Sequence, residues 1–97
     1  MPKSPTPVLE PEVEETTEVA RPWRVVLHND EVTTMEFVVW LLVSLFGKSY
    51  TDAVGLMLAV HHSGSATVAV CAQERAELYV EQVHSLARPR GFPLAAS

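Results

Sequence analysis

The chain reads as a small single α+β domain of order β-α-α-β-α-β, with three helices packed on a small antiparallel sheet. Three observations predict it. The length of 97 residues suits one small domain. Apolar patterning switches between strand-like runs and helical spacing. Turn and cap residues fall at each switch.

Residues 1–21 stand apart. They hold Pro2, Pro5, Pro7 and Pro11, no aromatic residue, and Glu10, Glu12, Glu14, Glu15 and Glu18 against Lys3 and Arg21. Such a stretch has too little apolar surface to offset its ordering entropy, so a disordered acidic extension is expected over 1–21, with the domain at 22–97. The extension carries −3 of the formal net charge of −5.

From Pro22 the character changes. Trp23–His28 is rich in β-formers and meets the turn signal Asn29-Asp30, which predicts a strand. Thr33 with Glu36 three residues on matches a capping box, and Val32 with Phe37 a hydrophobic staple. The helix that follows runs through Leu45 and Phe46 to Gly47. It is apolar on most faces, which predicts deep burial. Ser49 caps a second helix, with Asp52 three residues later and Gly64 at its end. Ala66–Cys71 reads as a strand. A third helix from Gln73 carries the stripe Ala76, Tyr79, Val80, Val83, Leu86 and Ala87, and Pro89 stops it. Phe92–Ser97 can supply a short last strand.

Composition excludes several functions. A pI near 5.2 offers no clustered basic face for nucleic acid. No apolar run is long enough for a membrane span, and no charged head precedes an apolar stretch at the N-terminus. With Cys71 as its one cysteine, the chain has no intrachain disulfide and fits a reducing, cytoplasmic setting. No metal site or cofactor is expected. His61 and His62 are adjacent, so on a helix they point about 100° apart and share an ion poorly. Cys71 at the end of an apolar strand reads as a small core residue, and no glycine-rich phosphate loop is present. The chain is not expected to be an enzyme.

Asn29-Asp30-Glu31 offers an amide oxygen and two carboxylates between a strand and a helix. It reads either as a solvated turn with an Asx bond or as a site for an ammonium group. Met35, Met57 and Val60 are either core filler or the lining of an adjacent apolar hollow, which His61 would also face.

The stretch Val25-Val26-Leu27-His28-Asn29-Asp30-Glu31-Val32-Thr33-Thr34-Met35-Glu36-Phe37-Val38 resembles the hallmark of the ClpS family, adaptors of the bacterial N-end rule pathway. That hallmark is an apolar strand, Asn-Asp-Asp, then Thr-Pro-Met-Glu-Phe-Val. Met57-Leu58-Ala59-Val60-His61, followed by Gly64, is similar to the family's second motif, Met-Leu-x-Val-His. Glu74-Arg75-Ala76-Glu77 resembles the start of the family's third helix, and Gly91-Phe92-Pro93-Leu94 its Gly-His-Pro-Leu. The likeness runs from about residue 23 to residue 94, and two separated motifs make it specific.

The resemblance implies an adaptor that reads the N-terminal residue of substrate proteins. Asn29, Asp30 and His61 would hold the α-amino group, with Glu31 and Thr33 at the same mouth. Met35, Val38, Met57, Val60 and Leu94 would take a Leu, Phe, Tyr or Trp side chain. Glu74 and Tyr79 would face a ClpA- or ClpC-type AAA+ unfoldase coupled to ClpP, and the acidic extension would act in delivery. A monomer is expected. The alternative is a regulator that docks on the unfoldase without reading N-termini. Glu31, Thr34, Ala72, Tyr79 and Phe92 depart from the usual Asp, Pro, Thr, Lys and His. Without a side-chain cap at Ala72, the third helix should fray more at its start.

Overall fold

A computed structural model describes residues 21–97. The expectation of a disordered extension over 1–21 therefore lies, apart from Arg21, outside the described residues. The order is β1 (Trp23–His28), α1 (Met35–Ser44), α2 (Tyr50–Ser63), β2 (Ser65–Cys71), α3 (Gln73–Ala87), a 3-10 turn (Arg88–Arg90) and β3 (Ala95–Ala96). This is the α+β order expected.

β1 lies at the centre of an antiparallel sheet of order β2-β1-β3. Val25 and Leu27 alternate inward and are fully buried. Val25 pairs with Ala69 and Val26 with Thr67, so β2 carries one extra residue, Val68, as a bulge. The short last strand does pair. Leu27 and His28 oppose Ala96 and Ala95, and Val26 and Ser97 exchange both backbone hydrogen bonds at 2.9 Å. Ala96 N–H also donates to His84 Nε2 at 3.2 Å, which ties β3 to α3.

The core joins the sheet to all three helices. Leu27, Leu41, Leu42 and Leu94 are its largest fully buried side chains. Each such burial contributes about 1.5–3 kcal/mol.

The caps of α2 fall as expected. Ser49 Oγ accepts from Asp52 N–H at 3.1 Å, and Gly64 closes the helix in the left-handed region at φ 92°. α3 starts at Ala72 with no side-chain cap and stops where Pro89 enters the 3-10 turn.

Three expectations for α1 are corrected. Its N-cap is Thr34, whose Oγ1 accepts from Phe37 N–H at 3.2 Å, and not Thr33. Thr33 instead gives its N–H and its hydroxyl to Asp30, which keeps it in the loop before the helix. Val32 is 58% exposed, so it makes no staple with buried Phe37. Nor is the helix buried all round. It turns Phe37, Val38, Leu41 and Leu42 inward, while Met35, Trp40 and Val43 stay exposed. One flank packs on α2 and the core, and apolar composition alone cannot cover the other.

Candidate functional site

The loop after β1 and the last turns of α2 meet at one end of the sheet. Asn29 N–H donates to Gly64 O at 2.8 Å, which fixes the loop against the end of α2. The left-handed backbone at Gly64, with its own N–H on Val60 O at 2.9 Å, ends the helix just past His61 and makes that contact possible.

Asp30 organises the loop. Its Oδ1 accepts from Val32 N–H at 2.8 Å and Thr33 N–H at 2.7 Å. Its Oδ2 accepts from Thr33 Oγ1 at 2.7 Å. The Asx bond read from the sequence is present, and the same carboxylate faces a hollow. Partial burial acts to raise the pKa of this carboxyl. The backbone N–H and hydroxyl of Thr33, the N–H of Val32 and the positive charge of Arg88 outweigh it, so the pKa lies below its ordinary value of 3.8. Asp30 is therefore a fixed anion at neutral pH. Each oxygen has two lone pairs, so Oδ2 keeps an acceptor position for a ligand.

The hollow has a volume of about 340 Å³ and is lined by Asn29, Asp30, Glu31, Thr33, Met35, Val38, Met57, Val60 and His61. Val38 and Val60 are buried and form its depth. Met35, 44% exposed, stands at the opening. No lysine or arginine lines it, and Arg88 acts on Asp30 from outside the hollow. His61 is exposed, with the ring of His62 edge-on at 5.2 Å between centroids. The arrangement suits a ligand with a cationic donor at one end and a bulky apolar group at the other.

The remaining sequence candidates lie elsewhere. Leu94 does not line the hollow and is buried in the core. Arg88 Nη1 donates to both Phe92 O and Leu94 O at 2.9 Å, which draws that segment against the end of α3. Glu74 is exposed in the first turn of α3. Tyr79 is half-buried, stacked on Phe46 at 4.5 Å, with the Arg75 guanidinium over its ring. Cys71 is half-buried in β2, away from the hollow. Among the described residues, no three His, Cys, Asp or Glu side chains converge to hold a metal ion. Sequence reasoning missed Arg88. Its signal was a basic residue at the helix end, directly before Pro89.

The fold and site define a small binding module. The profile of the family described as "ATP-dependent Clp protease adaptor protein ClpS" matches residues 18–97. The Clp adaptor of Desulfatibacillum aliphaticivorans is 48% identical over 81 residues, covering 84% of this chain and 78% of that protein. The Clp adaptor of Desulforapulum autotrophicum is 49% identical over 75 residues, covering 77% and 72%. The structure of Agrobacterium tumefaciens ClpS2 bound to L-phenylalaninamide is 34% identical, with a TM-score of 0.76, covering 78% of this chain and 92% of that one. The chain belongs to the ClpS family of adaptors of the ATP-dependent Clp protease, and is an adaptor rather than an enzyme.

Proposed function

We propose that this adaptor binds the free α-amino group and bulky apolar first side chain (Leu, Phe, Tyr or Trp) of substrate proteins and delivers them, in the cytoplasm, to a ClpA- or ClpC-type unfoldase with ClpP. The observation that carries the reading is the hollow itself, with Asp30 held as an anion beside Asn29, Glu31 and His61 over an apolar interior. An α-ammonium is a charged multiple donor, and charge-assisted hydrogen bonds contribute about 1.5–3 kcal/mol each. Burial of the first side chain adds about 1.5–3 kcal/mol. L-phenylalaninamide, the ligand of the Agrobacterium protein, has the same two features, an α-amine and a large apolar side chain.

Delivery rests on the family and on two surface features. Glu74 is exposed in the first turn of α3, and Tyr79 lies half-buried further along the same helix. The acidic extension over residues 1–21 is assigned to engagement by the unfoldase, and the adaptor acts as a monomer.

The test is fluorescence anisotropy with labelled peptides beginning with Leu or Phe, free and N-acetylated. The free peptides bind and the acetylated ones do not. Equal curves would instead favour a regulator that docks on the unfoldase without reading N-termini.

A further inference from the structure

A second hollow of about 520 Å³ adjoins the first. Met35 and Met57 line both, so the two hollows share these side chains as a common boundary. Val39, Trp40, Val43 and Tyr50 form most of the remaining wall, and Glu36 is its one charged residue. Trp40 is 43% exposed and Tyr50 71% exposed, so the surface is open to a ligand.

We infer that this hollow is a subsite for a second apolar side chain of the same peptide, supplied by one of the two residues after the first. The inference rests on the N-terminal reading proposed above. Continuity favours this occupant. A peptide whose first side chain lies between Met35 and Met57 leaves past the same two residues, and two further residues extend it by up to about 7 Å. That reach carries a following side chain past the shared methionines. Methionine is unbranched and adapts to ligands on both sides. The indole is also held in advance. Its ring lies 5.7 Å from that of buried Phe37, and the Arg90 guanidinium sits over both rings at 5.3 Å. A pre-positioned aromatic wall loses little side-chain freedom on binding. Charge narrows the ligand further. Glu31 rims the first hollow and Glu36 the second, and no lysine or arginine lines either. The apolar wall gives an acidic side chain no partner, so aspartate there gains no affinity.

The test is calorimetry on the full chain with peptides that begin Leu-Gly-Gly, and with Leu, Phe or Asp placed at position two or three. An apolar residue at one of these positions tightens binding about three- to thirtyfold, the range for partial burial of one side chain. Aspartate does not. Trp40→Gln and, separately, Val43→Gln move the ratio of Leu-Leu to Leu-Gly affinities toward one. The second variant keeps the test sound if loss of Trp40 loosens Phe37. In a Trp23→Phe background, Trp40 emission shifts to the blue with the apolar peptide and not with the glycine peptide. If Leu-first peptides bind alike whatever follows, the subsite is overturned while the first site stands. If acetylated peptides bind as well as free ones, the first site fails and the subsite falls with it. If Trp40→Gln leaves the peptide ranking alone but turns a dimer into a monomer in sedimentation, the face is a self-association surface and the inference is overturned.

Discussion

Thr33 donates to both oxygens of Asp30, its N–H to Oδ1 and its hydroxyl to Oδ2, each at 2.7 Å. Its neighbour Thr34 caps α1 instead. Two adjacent threonines thus serve the mouth and the helix separately. Thr33→Val removes one bond from Asp30 and should weaken Leu-peptide affinity about three- to tenfold, with little change in melting temperature. Thr34→Ala should cost about 1 kcal/mol of stability, a fall of roughly 4–8 °C in Tm for a domain of this size. Scanning calorimetry and peptide titration on both variants check the division.

Asp30 makes acid stability a property of the mouth. Its folded pKa lies below the ordinary value, so the unfolded chain takes up this proton more readily. The stabilisation is present above the unfolded pKa and is lost as pH falls through the folded one. Asp30→Asn should therefore flatten the acid side of the stability curve. Urea midpoints for both proteins between about pH 6 and pH 2 check this, and parallel curves would refute it.

Met35 should act as a gate. It stands at the opening and crowds a side chain branched at Cβ more than one branched further out. Met35→Ala should improve Ile- and Val-first peptides relative to Leu-first ones. An unchanged Ile-to-Leu ratio in calorimetry would contradict that role.

Arg88 joins the chain after α3 to the mouth. Its Nη1 holds two carbonyls, and its charge acts on Asp30. Arg88→Gln should destabilise the fold by about 1–3 kcal/mol and raise the Asp30 pKa toward its ordinary value. Denaturant melts, with carboxyl titration followed by NMR, read both.

Much of this was legible because local chemistry decides it. Ser49 and Gly64 bound α2, Ala72 leaves α3 without a side-chain cap, and Pro89 stops that helix, all through neighbours within a few positions. What misled was competition for the same groups. A capping pattern cannot show that Asp30 draws the N–H and hydroxyl of Thr33 into the preceding loop. The exposed flank of α1 was missed for a related reason. Apolar composition reports what a helix could bury, whereas Trp40 and Val43 remain exposed on that flank. The bulge at Val68 left no trace, since valine fits a regular strand equally well. Nine of the ten residues proposed for the substrate site surround one hollow, and Leu94 is the exception. Its segment turns inward under the two bonds from Arg88, a contact no short motif encodes.

The 2.8 Å bond from Asn29 N–H to Gly64 O gives the mouth its own reporter. One strand end and one helix end meet at that single amide, beyond the protection of the sheet ladder. Its deuterium uptake therefore registers separation of these two ends, apart from melting of the whole domain. A ligand that bridges Asp30 and His61 spans the same seam, so occupancy should slow exchange at Asn29 far more than at Leu27, whose side chain is sealed in the core.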